Sequence, residues 1–366
     1  MSSTGLLACG RRRATAFRGF CFVANQESRS IAVVDLARFR VRKHIALGAA
    51  PSTVLAHPTD SKVYVLAPQE GTVFEIDAVS HAISRRLRAG GAAAGMQLSP
   101  SGDGLWVLYR DPAALVELPF STFQAARRIR LAAPPDSFDL SRENRAAIAS
   151  LQNRSITIAS LASAAVERTI DAGAEPSLLR FQLDGRQILA GSRPDRSLSI
   201  FETATGKIVV RLPLPLEPRH FCFNADGGQL FVSGDGMDAV VIVYPYRTEV
   251  AETMLAGHAP DGMAVTDFYL LVTNPDSNSI TVLDFDNLGK KLVAAVQVGQ
   301  EPRHILITPD KQYALVLNRK SGDMAVVRIY SLTNQDAMRR YRYPIPLFTM
   351  IPVGELPVDA AIVSFG

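Results

Sequence analysis

The chain has 366 residues, 47% hydrophobic and 20% charged, with a formal net charge of +4. That apolar share excludes a chain disordered throughout, and no stretch approaches the ~18 consecutive apolar residues of a membrane-spanning helix. Of 39 basic residues, Arg11, Arg12, Arg13 and Arg18 lie at the start, leaving 35 against 35 acidic residues, so nothing marks a nucleic-acid binder.

Residues 1–18 come first. Leu6-Leu7-Ala8-Cys9-Gly10 resembles the lipobox of bacterial lipoproteins, with Cys9 as the lipidation candidate. The apolar run before Cys9 is shorter than a signal peptide needs, and no basic residue precedes it. Residues 1–18 therefore read either as a disordered basic tail or as the remnant of a lipoprotein signal. A lipid anchor would place the protein in the periplasm or cell envelope. Cys21 and Cys222 each stand in a Phe-Cys-Phe run and read as small core residues. The absence of any CxxC or CxxCH motif excludes zinc ribbons, thioredoxin-like pairs and c-type haem attachment.

From residue 19 onward one period dominates. Prolines that precede an apolar run stand at Pro51, Pro135, Pro176, Pro218, Pro260, Pro302 and Pro357, with spacings near 42 or its double until the last. Each unit holds four short strands separated by Gly, Pro, Asp and Asn turns, as in Ile305-Leu-Ile, Tyr313–Asn318 and Met324–Tyr330. The middle strands are continuously apolar, which suits a sheet covered on both faces. No segment keeps a helical period. Phe22, Tyr64, Trp106, Ile148, Ile188, Phe231, Leu271 and Tyr313 anchor eight second strands.

These features predict an all-β, closed β-propeller of four-stranded antiparallel blades over residues 19–366, with eight blades by repeat count and seven as the alternative. The chain enters at a second strand and ends, from Pro357, with a first strand. Closure follows if the C-terminal strand joins the first blade and removes an exposed sheet edge.

Val23-Ala-Asn25, Ser30-Ile-Ala-Val-Val-Asp35, Val272-Thr-Asn274 and Ser279-Ile-Thr-Val-Leu-Asp284 carry a family signal. Together with Val298-Gly299 leading to Pro302, they resemble the YVTN-type β-propeller repeat. That resemblance implies a scaffold shared by lactonase-like, surface-layer-like, haem-d1 and quinoprotein propellers, so it specifies the fold and leaves the function open.

Glu217-Pro218-Arg219-His220 recurs as Glu301-Pro302-Arg303-His304, two repeats later. Equal register would set both at one depth of a central channel, where Arg219 and Arg303 suit a carboxylate or phosphate. His220 and His304 would serve a hydrolase as general bases, and His258 lies in a related position. The alternative is structural: Glu-Pro turns that pack adjacent blades and arginines that bridge strands. No spacing of metal ligands is present, and Asp284–Gly289 lacks the acid that closes a calcium loop. No GxSxG, HExxH, Walker or GxGxxG motif occurs.

About thirteen extra residues fall within 331–346, including Arg339, Arg340, Tyr341, Arg342 and Tyr343, a candidate partner-binding loop. The sequence thus favours a non-enzymatic binding scaffold for a protein or envelope glycan, most simply a monomer without cofactor. Its alternatives are a lactonase-like hydrolase for a small anion and a redox propeller carrying haem or quinone.

Overall fold

A computed structural model describes residues 17–286, 291–333 and 345–365. Cys9 and the segment Arg339–Tyr343 lie outside the described residues. Eight four-stranded antiparallel sheets form, in the expected meander order. The strands nearest the axis pack each against the next, from Pro357–Ser364 past Thr53–Ala56 and on to Pro302–Ile307, which returns to Pro357–Ser364. The ring is closed and has eight blades.

The first blade is made from both ends of the chain. Its inner strand, Pro357–Ser364, pairs antiparallel with Gly19–Asn25, Cys21 opposite Ile362 and Phe22 opposite Ala361. Ser30–Asp35 and Arg40–Ala46 complete the sheet. Phe365 N–H donates to the Arg18 carbonyl (3.0 Å), and Gln26 N–H to the Leu356 carbonyl (3.0 Å), fastening the join at both ends.

The apolar second strands are buried on both sides because successive side chains face opposite neighbours. Cys21 and Val23 pack on Leu315 and Leu317 of blade eight, whereas Phe22 and Ala24 pack on Val63 and Val65 of blade two. Each interface between blades is thus a core of its own, and the predicted anchors Phe22, Tyr64, Trp106 and Phe231 are fully or almost fully buried.

The Asn that ends some second strands has a structural reason. The Asn274 carboxamide oxygen accepts the Gly257 N–H (3.0 Å), and Asn25 Nδ2 donates to the Val353 carbonyl (2.8 Å). Gly257, Gly299 and Gly354 lie so close to Asn274, Asn318 and Asn25 that an added Cβ would sit within 3.0 Å of the carboxamide. Each such Gly stands three residues before an inner-strand proline. The Gly-x-x-Pro spacing therefore records a loop clamped against the blade it leads into, which at the join is blade one.

Two local expectations are corrected. The third strand of blade eight stops at Arg328, and Ile329–Thr333 turns into a short helix that leads toward the insertion. Cys222 is half-buried where the core reading placed it inside, because it lies on the channel-lining strand Glu217–Phe223; burial still pushes its thiol up to about 11, with Arg180 opposing.

Candidate functional site

Antiparallel meanders send every inner strand the same way, so the residues just after each inner-strand proline gather at one mouth of the channel. Arg219 and His220 follow Pro218, Asp261 follows Pro260, Arg303 and His304 follow Pro302, and Val358 and Asp359 follow Pro357. A cavity of about 410 Å³ opens there, lined by Gln26, Ser52, Arg219, His220, Asp261, Arg303, His304, Arg319 and Val358. The Arg-His halves of the repeated tetrapeptide meet at this cavity.

Asp261 organises one side. It is buried, and its Oδ2 accepts from Arg303 Nη1 (2.8 Å). His220 Nε2 lies 2.8 Å from Oδ1 but out of line, so that oxygen has no aligned hydrogen bond. Burial alone would raise the Asp261 carboxyl; His220 and Arg303 hold it below the ordinary carboxylate range. Arg303 also donates from Nε to Glu301 (2.8 Å), so its fork is shared between two carboxylates.

On the other side, His304 Nε2 lies 3.3 Å from Asp359 Oδ1, while Asp359 Oδ2 accepts the Val54 N–H of blade two (2.7 Å). Burial raises the Asp359 carboxyl, with His304 pulling it back. Asp139 repeats this device deeper in the channel: its Oδ2 accepts the Phe181 N–H of the next blade (2.8 Å). Such inner-strand carboxylates tie adjacent blades as well as shaping the mouth.

Arg219 differs from Arg303. Its Nε donates to Asp235 (2.6 Å), and Asp235 also takes Arg193 Nη2 (2.9 Å). The Arg219 Nη groups have no partner among the described residues. Arg319 has no counter-ion at all among them, and its Nε is buried without a hydrogen-bond acceptor. The cavity wall thus holds three arginines against one carboxylate, with two imidazoles beside them. Concave, partly dehydrated and cationic, it can hold a carboxylate or phosphate through planar donor pairs.

The remaining expected residues stand apart. His258 does not line this cavity: it is exposed and bonds Asp238 through Nδ1 (2.7 Å), which raises its pKa. Glu217 lies 3.3 Å from Arg196 and Glu301 holds Arg303, so both glutamates of the tetrapeptide position cations. Among the described residues no group of three or more His, Cys, Asp or Glu side chains could hold a metal ion, and no helix is long and apolar enough to cross a membrane.

Sequence reading missed Arg319, Gln26 and Asp261. Gln26 and Arg319 each follow the Asn that ends a second strand, and that place faces the mouth. Asp261 occupies the register of Arg219 and Arg303, one blade between them.

No family model and no curated protein matches this sequence. Solved structures do. Dihydro-haem d1 dehydrogenase NirN, solved in complex with DHE, aligns over 96% of this chain and 76% of its own, at 15% identity and a TM-score of 0.78. A functionally unknown protein from Desulfotomaculum acetoxidans aligns over 94% and 99% at 13% identity and a TM-score of 0.62. Hydrazine synthase of Kuenenia stuttgartiensis aligns over 76% and 95% at 17% identity and 0.60. At such identities the likeness is one of fold.

Proposed function

We propose that this propeller is a binding scaffold that captures an anionic group, carboxylate or phosphate, at the channel mouth. The observation that carries the reading is the leftover donor capacity there: Arg219 keeps its Nη groups and Arg319 its whole guanidinium without a protein acceptor among the described residues. A partly buried cation without a partner costs free energy that a bound anion recovers. His220, beside the buried Asp261, and His304, beside the half-buried Asp359, add positive charge when protonated.

The test is calorimetric titration with small carboxylates and inorganic phosphate. Saturable binding that weakens about tenfold or more in Arg219→Ala supports the reading; heats of dilution alone defeat it. The same samples incubated with simple lactones test the hydrolase alternative, for which the carboxylate-backed imidazoles would act as bases. Product formed by the wild type and lost in His304→Ala would turn the scaffold into an enzyme.

A redox reading draws support from the fold shared with the haem d1 enzyme. His220 or His304 would be the residue to hold the iron, since a carboxylate beside one ring nitrogen is the usual support of a ligating imidazole. Arg219 and Arg319 would hold the carboxylates of a haem, which supplies one-electron chemistry when bound. Visible absorbance after addition of haem checks this, and an unchanged spectrum retires it.

The YVTN-type kinship that the repeat signature suggests and the Leu-Leu-Ala-Cys9 run support an envelope-facing protein whose ligand belongs to a protein or glycan; the balanced charge beyond residue 18 argues against a nucleic acid, and we take the protein as a monomer. Mass spectrometry of the membrane fraction decides the anchor: a lipid-modified Cys9 supports it and an unmodified Cys9 removes it. Deleting residues 335–343 tests the basic loop as a partner surface, where unchanged recovery of every partner rejects that role.

A further inference from the structure

A second cavity, of about 580 Å³, adjoins the mouth at the seam where the chain closes. It lies among the blade-one turn at Glu27, the blade-eight turn Arg319–Gly322 and the joining loop Gly354–Leu356. Arg319 lines both cavities. Glu301 lines the seam while gripping Arg303 of the mouth at 2.8 Å, so the two cavities share a wall.

Charge is segregated across that wall. Apart from the shared Arg319, the mouth holds Arg219 and Arg303 against Asp261; the seam holds Glu27, Glu301 and Glu355 against Lys320. Glu301 is occupied by Arg303. The carboxylates of Glu27 and Glu355 have no partner among the described residues, and the turn and loop that carry them are bonded to each other. Glu355 N–H donates to Ser28 Oγ (2.8 Å), beside Glu27, and Asn25 Nδ2 donates to the Val353 carbonyl. A cation entering the groove would therefore meet two carboxylates carried on main chain that is already fixed.

We infer that the ligand is dipolar: an anionic group seated on Arg219 and Arg319, and an ammonium-type group carried along the seam to Glu27 and Glu355. This deepens the mouth reading and rests on it. Arg319, at the junction, is assigned as the residue that fixes the anionic end. Taken together the two cavities are formally neutral, four cations against four carboxylates, so a zwitterion matches them better than a polyanion does.

The experiment is an NMR titration with aminohexanoate and aminooctanoate, each against its amine-free parent acid. The wild type is expected to bind at least one amino acid about fivefold tighter than its parent, the size of an exposed ion-pair gain. Glu27→Gln/Glu355→Gln should erase that advantage and leave the parent acids unchanged, since neither glutamate is buried. Arg319→Gln should weaken amino and parent acids alike. Parent acids that bind with no amine advantage at either length, or an advantage that survives in the double variant, overturn the dipolar ligand and leave the mouth standing. If no acid binds, the mouth reading itself fails.

Discussion

Blades two and three place their strongest ion pairs at the rim; blades six to eight place theirs at the mouth. In blade two, the buried Glu75 accepts from Arg85, whose Nη2 also donates to the Phe120 carbonyl of blade three (2.8 Å). Forty-two residues on, Glu117 accepts from Arg127 Nε (2.5 Å), and Arg127 Nη1 reaches the Leu161 carbonyl of blade four (2.9 Å). These guanidiniums have their donors largely saturated by one carboxylate and the neighbouring blade, so they staple. At the mouth, Arg219 and Arg319 have donors left over. The same residue type thus serves cohesion or recognition according to how many of its N–H groups the fold has already used.

The largest effect sharpens neither side but tests the ring that both depend on. Removing Pro357–Ser364 uncovers the inner edge of blade one and the apolar faces beside it; the expected outcome is loss of the cooperative thermal transition, read by circular dichroism.

Next comes the rim. Arg85→Met strands the buried Glu75 carboxylate and should cost about 3 kcal/mol in urea unfolding, more than Glu75→Gln, which leaves an Arg able to reach water. Burial alone would raise Glu75, but hydrogen bonds from Arg85 and Ser84 hold it below the ordinary carboxylate range. A depressed folded pKa means stability that is present above the unfolded value and lost as pH falls through the folded one. The wild type should therefore lose stability through the acid range more steeply than Glu75→Gln; parallel pH profiles would contradict the staple.

At the mouth the expectation reverses. Arg219→Ala should abolish most anion binding while moving the melting temperature by less than about 2 °C, because its carboxylate partner Asp235 keeps Arg193. Arg303→Ala should cost both binding and stability, since it leaves Asp261 buried beside His220 alone. If both variants melt alike, the division between stapling and binding arginines fails.

The smallest effect belongs to His258. Its bond to Asp238 raises its pKa, so the stability it adds is present below the ordinary histidine value and lost as pH rises through the raised one. His258→Ala should change the melting curve slightly at acid pH and not in alkaline buffer, with anion binding untouched.

The staples and the mouth were unequally legible. The pairs Glu75–Arg85 and Glu117–Arg127 keep the 42-residue repeat, yet they join third strands to fourth strands and then to another blade, a reach that only pairing register reveals. Arg219, His220, Arg303 and His304 could be grouped in advance because a duplicated tetrapeptide in a ring must land at equal depth. His258 stands two residues before Pro260, where His220 and His304 stand two after their prolines, and it turned outward to Asp238.

The sequence by itself determined the ring: the spacing of prolines, the apolar second strands, the Asn and Gly that clamp loops, and ends out of phase by one strand. Those are local, periodic requirements of backbone and burial, and any repeat that meets them closes the same way. Only the tertiary structure decided which charges are spent on each other and which remain, since that depends on side chains dozens or hundreds of residues apart. Arg303 looks like Arg219 in the chain; in space one is quenched by two carboxylates and the other is left with donors to offer.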